Sequence, residues 1–362
     1  MNNTSYCYFE IENSSTIWFQ DPNKYLILDK QSGRKLMESI HDQDLTELIN
    51  KICNKTNGNE NVISSEVITT EAKNLNSESI SVKASTKYYN FNKITIEVSF
   101  ASQILENLIH PKFAHLEITK GKFPDHSFSV TFENNNIKLD VNSKTIGRWT
   151  WNQKHFFQGK FSMEFIQKIY SKPEEGWIAV MHGSAVYKNG KCFLLLGESG
   201  KGKSTALSLL MAHGFTCVAD DFIPISSDQK IYTFPSAISV KEASLPILSR
   251  FYPNLKNSKV HHFNNSKKIV RYLPPAQLDV YHSYFCKELI FIDFDPRIDF
   301  TFEQVSKSET LFRIIPDSWI STVPQNVNHF FNWFTEVQCY HLSYSDNQKM
   351  ITYLTNHCEN EL

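Results

Sequence analysis

The sequence predicts a mixed α/β protein in two parts, a strand-rich α+β accessory region over residues 1–155 and a phosphate-loop α/β domain over residues 156–362. Three observations carry this expectation. At 362 residues the chain has room for two or three domains, since a domain takes ~150 residues. Its opening portion reads as short aromatic and β-branched runs broken by Asn, Ser and Pro, the pattern of strands and turns. From Trp177 the order changes to strand, glycine-rich loop, helix and strand, which is α/β grammar.

Taken in order, SYCYFEI, TIWFQ and YLILD are the first expected strands. A helix is expected from about Asp42 to Asn54, where Leu and Ile recur at helical spacing before the turn-forming stretch NKTNGNEN. SISVKAS, ITIEVSF, FSVTF and IKLDV follow as strands, the last two joined through Glu133-Asn134-Asn135-Asn136. A helix near Met163 to Tyr170 and the breaker Lys172-Pro173-Glu174-Glu175-Gly176 lead into the second part. There Asn189-Gly190 favours a two-residue type I′ turn between antiparallel strands. With that turn Lys188 pairs with Lys191, and His182 falls opposite Gly197. ELIFIDFDP reads as a buried strand, and WFTEVQCYHLSYSDNQKMITYLTNH as a strand and an amphipathic helix closing the core.

Composition narrows the function classes. A net charge of −1 and a pI near 6.9 provide no field for nucleic acid or an anionic membrane. Seven scattered cysteines without a C-x-x-C pair argue against a disulfide framework or a zinc site, and for a reducing cytoplasmic setting. No apolar run approaches the ~18 residues of a membrane helix, and the first residues do not read as a signal peptide.

Chemistry concentrates in one stretch. Gly197-Glu198-Ser199-Gly200-Lys201-Gly202-Lys203-Ser204, followed by Thr205, satisfies G-x-x-x-x-G-K-[ST] after an apolar strand and before a helix. The glycines let backbone N–H groups wrap phosphates, and the helix N-terminus adds its positive end. Lys203 is the expected partner of the β- and γ-phosphates of ATP, and the Ser204 hydroxyl suits Mg²⁺. A helix from Ser204 to His213 advances ~15 Å at ~1.5 Å per residue. After Gly214, the strand Phe215 to Ala219 returns ~16 Å at ~3.3 Å per residue. Asp220 and Asp221 therefore come back to the level of the phosphates, one carboxylate for Mg²⁺ and the other as a base on an acceptor hydroxyl. Downstream, Lys241 and Arg271 are candidate phosphate contacts and Glu242 a candidate metal neighbour.

This arrangement resembles the catalytic domain of the HPr serine kinase/phosphorylase family, which shares its fold with ATP-dependent phosphoenolpyruvate carboxykinase. The residues that carry the resemblance are His182-Gly183, Gly197 to Ser204, Ala206-Leu207, Gly214 and Ala219-Asp220-Asp221. The resemblance implies Lys203 as the phosphate lysine, Ser204 and Asp220 on the magnesium side, and Asp221 as the acid/base. It implies that His182 helps place the phosphate and set the state of Asp221. Family members can also dephosphorylate phosphoserine with inorganic phosphate. Where the family carries a glycine-rich signature linked to hexamer assembly and phosphorolysis, this chain reads FPSAISVKEAS and KKIVRYLPP. In that respect it looks more like HPr-kinase-like proteins found near bacterial peptide-modification systems.

The expectation is thus a kinase that moves the γ-phosphate of ATP to a Ser or Thr hydroxyl of a protein or peptide, with a homo-oligomer left open. Two rival expectations are a small-molecule kinase of the same fold, and a non-catalytic ATP-binding module that regulates a partner.

Overall fold

The computed structural model describes residues 6–20, 23–39, 62–64, 84–119, 123–263, 268–276 and 283–359. It is a mixed α/β structure whose described strands form four sheets. The helix expected from Asp42 to Asn54 and most of SISVKAS lie outside the described residues.

The first three expected strands are Tyr6–Ile11, Ser14–Phe19 and Lys24–Asp29, an antiparallel meander. A six-stranded sheet follows, running in the order Lys144–Trp149, Asn136–Val141, His126–Glu133, Ile94–Phe100, Ser85–Phe91 and Glu117–Ile118. Its Asn-rich connection turns as the sequence suggests. Glu133 pairs with Asn136, while Asn134 and Asn135 take φ of 49° and 62°, values that Asn tolerates and a type I′ turn requires. Between the second and third of these strands in chain order runs a helix that the sequence reading did not include, Gln103–Phe113. Ser102 caps its start by accepting the Leu105 N–H, and Pro111 comes in its last turn.

The helix expected from Met163 begins earlier and spans Lys154–Ile169. Phe157, Phe161, Phe165 and Ile169 recur every four residues and are all buried, so one stripe of the helix faces the core. This stripe joins the two halves. A single cluster of buried side chains includes Trp18, Ile96 and Phe128 from the first sheets, Phe161 from the helix, and Trp177, Leu194 and Phe291 from the large sheet. Phe113 stacks on Phe165 at 4.8 Å and meets the ring of Phe234 edge-on at 5.9 Å.

The large sheet has ten strands, and its pivot is Ser283–Phe294. Near its start this strand pairs antiparallel with Lys230–Tyr232. Further along it pairs in parallel with Lys191–Leu196 and with Gln338–Tyr344. Leu194, Leu195, Leu289, Ile290 and Ile292 are essentially inaccessible there, the apolar character expected of parallel strands covered on both faces. A second core fills the space beneath the phosphate-loop helix, with Leu207, Leu210, Ile292, Leu342, Met350 and Leu354. A small three-stranded sheet, Ile238–Lys241, Lys268–Leu273 and His261–Phe263, completes the framework. No helix among the described residues is long and apolar enough to cross a membrane.

Candidate active site

The site is built on the hairpin Ser184–Lys188 and Lys191–Leu196. Asn189 and Gly190 turn it with φ of 49° and 85°, and the register runs from Lys188 opposite Lys191 to Ser184 opposite Leu195. The pairing stops at Ser184, and two residues before it His182 lines the same cavity as Gly197. Gly197 opens the loop with φ of 130°, and a Cβ there would stand 2.9 Å from the carbonyl oxygen of Ile292. Only glycine lets the loop leave its strand this closely packed.

The phosphate-loop helix spans Lys203–Ala212, one residue earlier at each end than the sequence suggests. Gly214, at φ of 82°, reverses the chain, and Thr216–Asp220 runs back beside Ser184–Lys188. The helix and the strand thus nearly cancel in length, and both aspartates stand at the loop.

Their environments differ sharply. Asp220 is 2% exposed. Its Oδ1 accepts hydrogen bonds from Ser184 Oγ at 2.6 Å and Ser204 Oγ at 3.2 Å, and Ser204 Oγ also lies 3.3 Å from Oδ2. Burial, reinforced by the neighbouring Asp221 charge, pushes the Asp220 carboxyl up to about 6. Asp221 leaves the strand in the left-handed region, with φ of 68°, and its N–H donates to the Gly183 carbonyl at 2.7 Å. Its side chain is 42% exposed and is held from two sides. Lys112 Nζ donates to Oδ2 at 2.7 Å, and His182 Nδ1 lies 3.3 Å from Oδ1. The Lys112 ammonium, chiefly, holds this carboxyl well below the usual carboxylate range, with His182 and Lys203 acting in the same direction. Burial, the largest single influence, acts to depress Lys112, but the charge and hydrogen bond of Asp221 together with the charges of Tyr272 and Asp220 outweigh it and raise the ammonium's pKa. One acid is thus buried among hydroxyls, and the other is open and ion-paired.

Lys203 is buried and donates to the carbonyls of Gly197 and Glu198, the latter at 3.1 Å. Burial lowers its pKa. Lys201 points away and pairs with Asp293 at 3.1 Å. Lys241 reaches the loop, donating to Ser199 Oγ at 3.3 Å. Thr205 Oγ1 lies 2.6 Å from Ser244 Oγ. Glu242 and Arg271, read from the sequence as a metal neighbour and a phosphate clamp, hold each other at 2.5 Å. The reason is register: Ile238–Lys241 pairs antiparallel with Lys268–Leu273, which brings the end of one strand to Arg271 on the other.

A cavity of about 180 Å³ opens beside the loop, lined in part by His182, Gly197, Glu198, Phe291, Arg313 and Asp317. The Arg313 guanidinium stacks on the Phe291 ring at 3.6 Å.

Among the described residues no group of three His, Cys, Asp or Glu side chains is placed to hold a metal by itself. The Ser204 and Asp220 oxygens nevertheless suit Mg²⁺, a hard cation that takes one or two protein oxygens and completes its shell with phosphate and water.

Two residues of the site were not read from the sequence. Ser184 lies directly opposite Asp220 in the sheet, a placement that follows once the returning strand is set beside the hairpin. Lys112 has no local signal at all, because it arrives from a helix 109 residues away in sequence. No family model and no curated protein matches the chain.

Proposed function

We propose that the chain is an ATP-dependent kinase of the HPr-kinase type that phosphorylates a Ser or Thr hydroxyl of a protein or peptide. The observation that carries this reading is the division of labour between adjacent acids: Asp220 buried against the loop's Ser204, and Asp221 open to solvent beside His182. Lys203 and the loop N–H groups would receive the β- and γ-phosphates. Ser204 and Asp220 would hold Mg²⁺, which neutralises charge on the phosphate oxygens when bound. In the transfer, the acceptor oxygen bonds to the γ-phosphorus while the bond from that phosphorus to the β–γ bridging oxygen breaks and ADP departs. The hydroxyl proton passes to the Asp221 carboxylate. A carboxylate this acidic is ionised throughout the physiological range, and it accepts the proton late, once bond formation has made the hydroxyl acidic.

A second reading, a kinase for a small anionic acceptor, draws support from the cavity, which Arg313 and His182 both line. One experiment separates the two. The protein is incubated with γ-labelled ATP, Mg²⁺ and a fractionated lysate of its source cells. Label on Ser or Thr of a macromolecule supports the protein-kinase reading, and label confined to the small-molecule fraction supports the second. ATP·Mg²⁺ that binds and is never consumed contradicts both and favours a regulatory ATP-binding module.

A further inference from the structure

The helix Gln103–Phe113 belongs to the strand-rich half, yet its end is seated in the candidate active site. The Lys112 carbonyl accepts the Ala237 N–H at 2.7 Å. Next to Ala237, Ser236 Oγ donates to the Asp220 carbonyl oxygen at 3.2 Å. Phe113 anchors the same helix end against Phe165 and Phe234. The backbone beneath Lys112 is therefore tied to the segment that follows the two acids, and its side chain has a fixed origin.

From that origin Lys112 takes one oxygen of Asp221 while His182 faces the other. Asp221 lies one residue past the end of the strand Thr216–Asp220, and Lys112 and His182 are the side chains that hold its two carboxylate oxygens. His182 comes from the hairpin that carries the loop, and Lys112 comes from the other half of the molecule.

We propose that Lys112 is a positioning residue through which the strand-rich half completes the catalytic site: it holds the Asp221 carboxylate in the orientation that receives the acceptor's proton. This rests on the kinase reading. In the transfer Lys112 forms and breaks no covalent bond. It keeps a hydrogen bond to the oxygen that does not take the proton, and its charge offsets that of the phosphates gathered nearby. A point charge on a flexible stem can do this only where the backbone is pinned, as it is here.

The test uses the full chain, with ATP·Mg²⁺ and water as the acceptor, and compares wild type with Lys112→Met and Lys112→Arg. Lys112→Met is expected to lower kcat by about 10–100-fold while the KM for ATP and its calorimetric Kd stay within about twofold, the signature of a group that acts in the transition state rather than in nucleotide binding. Lys112→Arg, which retains the charge and a donor, is expected to recover most of the loss. An unchanged kcat in Lys112→Met overturns the proposal. So does an equal loss in both variants accompanied by a matching fall in melting temperature, which would make the lysine merely structural. A double-mutant cycle between Lys112→Met and Asp221→Asn, read by urea unfolding, needs no turnover. A coupling indistinguishable from zero overturns the pairing whatever the kinetics show. A measurable coupling in a protein that never consumes ATP overturns the kinase reading instead.

Discussion

The phosphate-loop hairpin and the strand-rich half reach Asp221 by different routes. From His182 to Asp221 the scaffold is local: a two-residue turn, a loop, one helix and one returning strand, each fixed by neighbours close in sequence. These elements deliver backbone N–H groups, Lys203, Ser204 and both acids. The strand-rich half delivers one ammonium, across 109 residues of sequence, on a helix held by aromatic packing. The local scaffold therefore shapes the place where phosphate would bind. The remote half supplies the ammonium in direct contact with Asp221, since Lys203 lies on loop carbonyls and Lys201 on Asp293. A site divided this way should lose nucleotide chemistry when the local part is damaged and lose only efficiency when the remote contact is cut.

The largest expected effect lies on the local side. Lys203→Ala removes the buried ammonium at the loop, and ATP turnover should fall to background in a phosphate-release assay. Turnover at the wild-type rate would remove the loop from the chemistry altogether.

The joint between the halves is tested by stability. Phe161 is fully buried in the core cluster that both halves share. Phe161→Ala should cost about 3–5 kcal/mol, as large-to-small changes in packed cores do. Because the cluster is continuous, near-ultraviolet and far-ultraviolet circular dichroism should still report one shared transition in urea. Two separated transitions would show that the halves unfold independently and that the contact at Lys112 is easily lost.

The smallest effect is a pH dependence at the same joint. His115 lies two residues past the end of the helix that carries Lys112, and burial pushes its pKa down to about 4, only partly opposed by the Pro235 backbone. The unfolded chain, with an ordinary histidine, binds the proton first as pH falls. At this site the unfolded chain therefore holds more of the proton between about pH 6.5 and 4, and the contribution of His115 to stability is lost as pH falls through that window. His115→Leu should flatten this slope in urea midpoints measured from pH 7 to 4.5. An unchanged slope would mean that His115 binds its proton equally well in the folded and the unfolded chain.

The legibility of the molecule follows the same division. The Asn189-Gly190 turn, the stop at Gly214 and the match of helix length to strand length depend on local chemistry, so the position of Asp220 and Asp221 could be worked out residue by residue. The helix Gln103–Phe113 was missed because Pro111 reads as a breaker although it sits in the last turn. The pairing of Glu242 with Arg271 needed a strand register between segments about thirty residues apart, which no turn motif fixes. Lys112 was hidden for the strongest reason: its role depends on how two sheets pack against one helix stripe, and that is a property of the whole core.

The central claim is that the adjacent acids have different jobs, and a magnesium titration of ATP turnover in Asp220→Asn and Asp221→Asn tests it most directly. An amide fills the same space but neither balances a divalent charge nor takes a proton. Asp220→Asn should raise the Mg²⁺ concentration for half-maximal rate, because it alters the buried group on Ser204. Asp221→Asn should leave that concentration and ATP binding nearly unchanged while lowering the maximal rate by roughly 10²–10⁴-fold, the usual worth of a positioned base. The same shift in magnesium requirement in both variants would contradict the account.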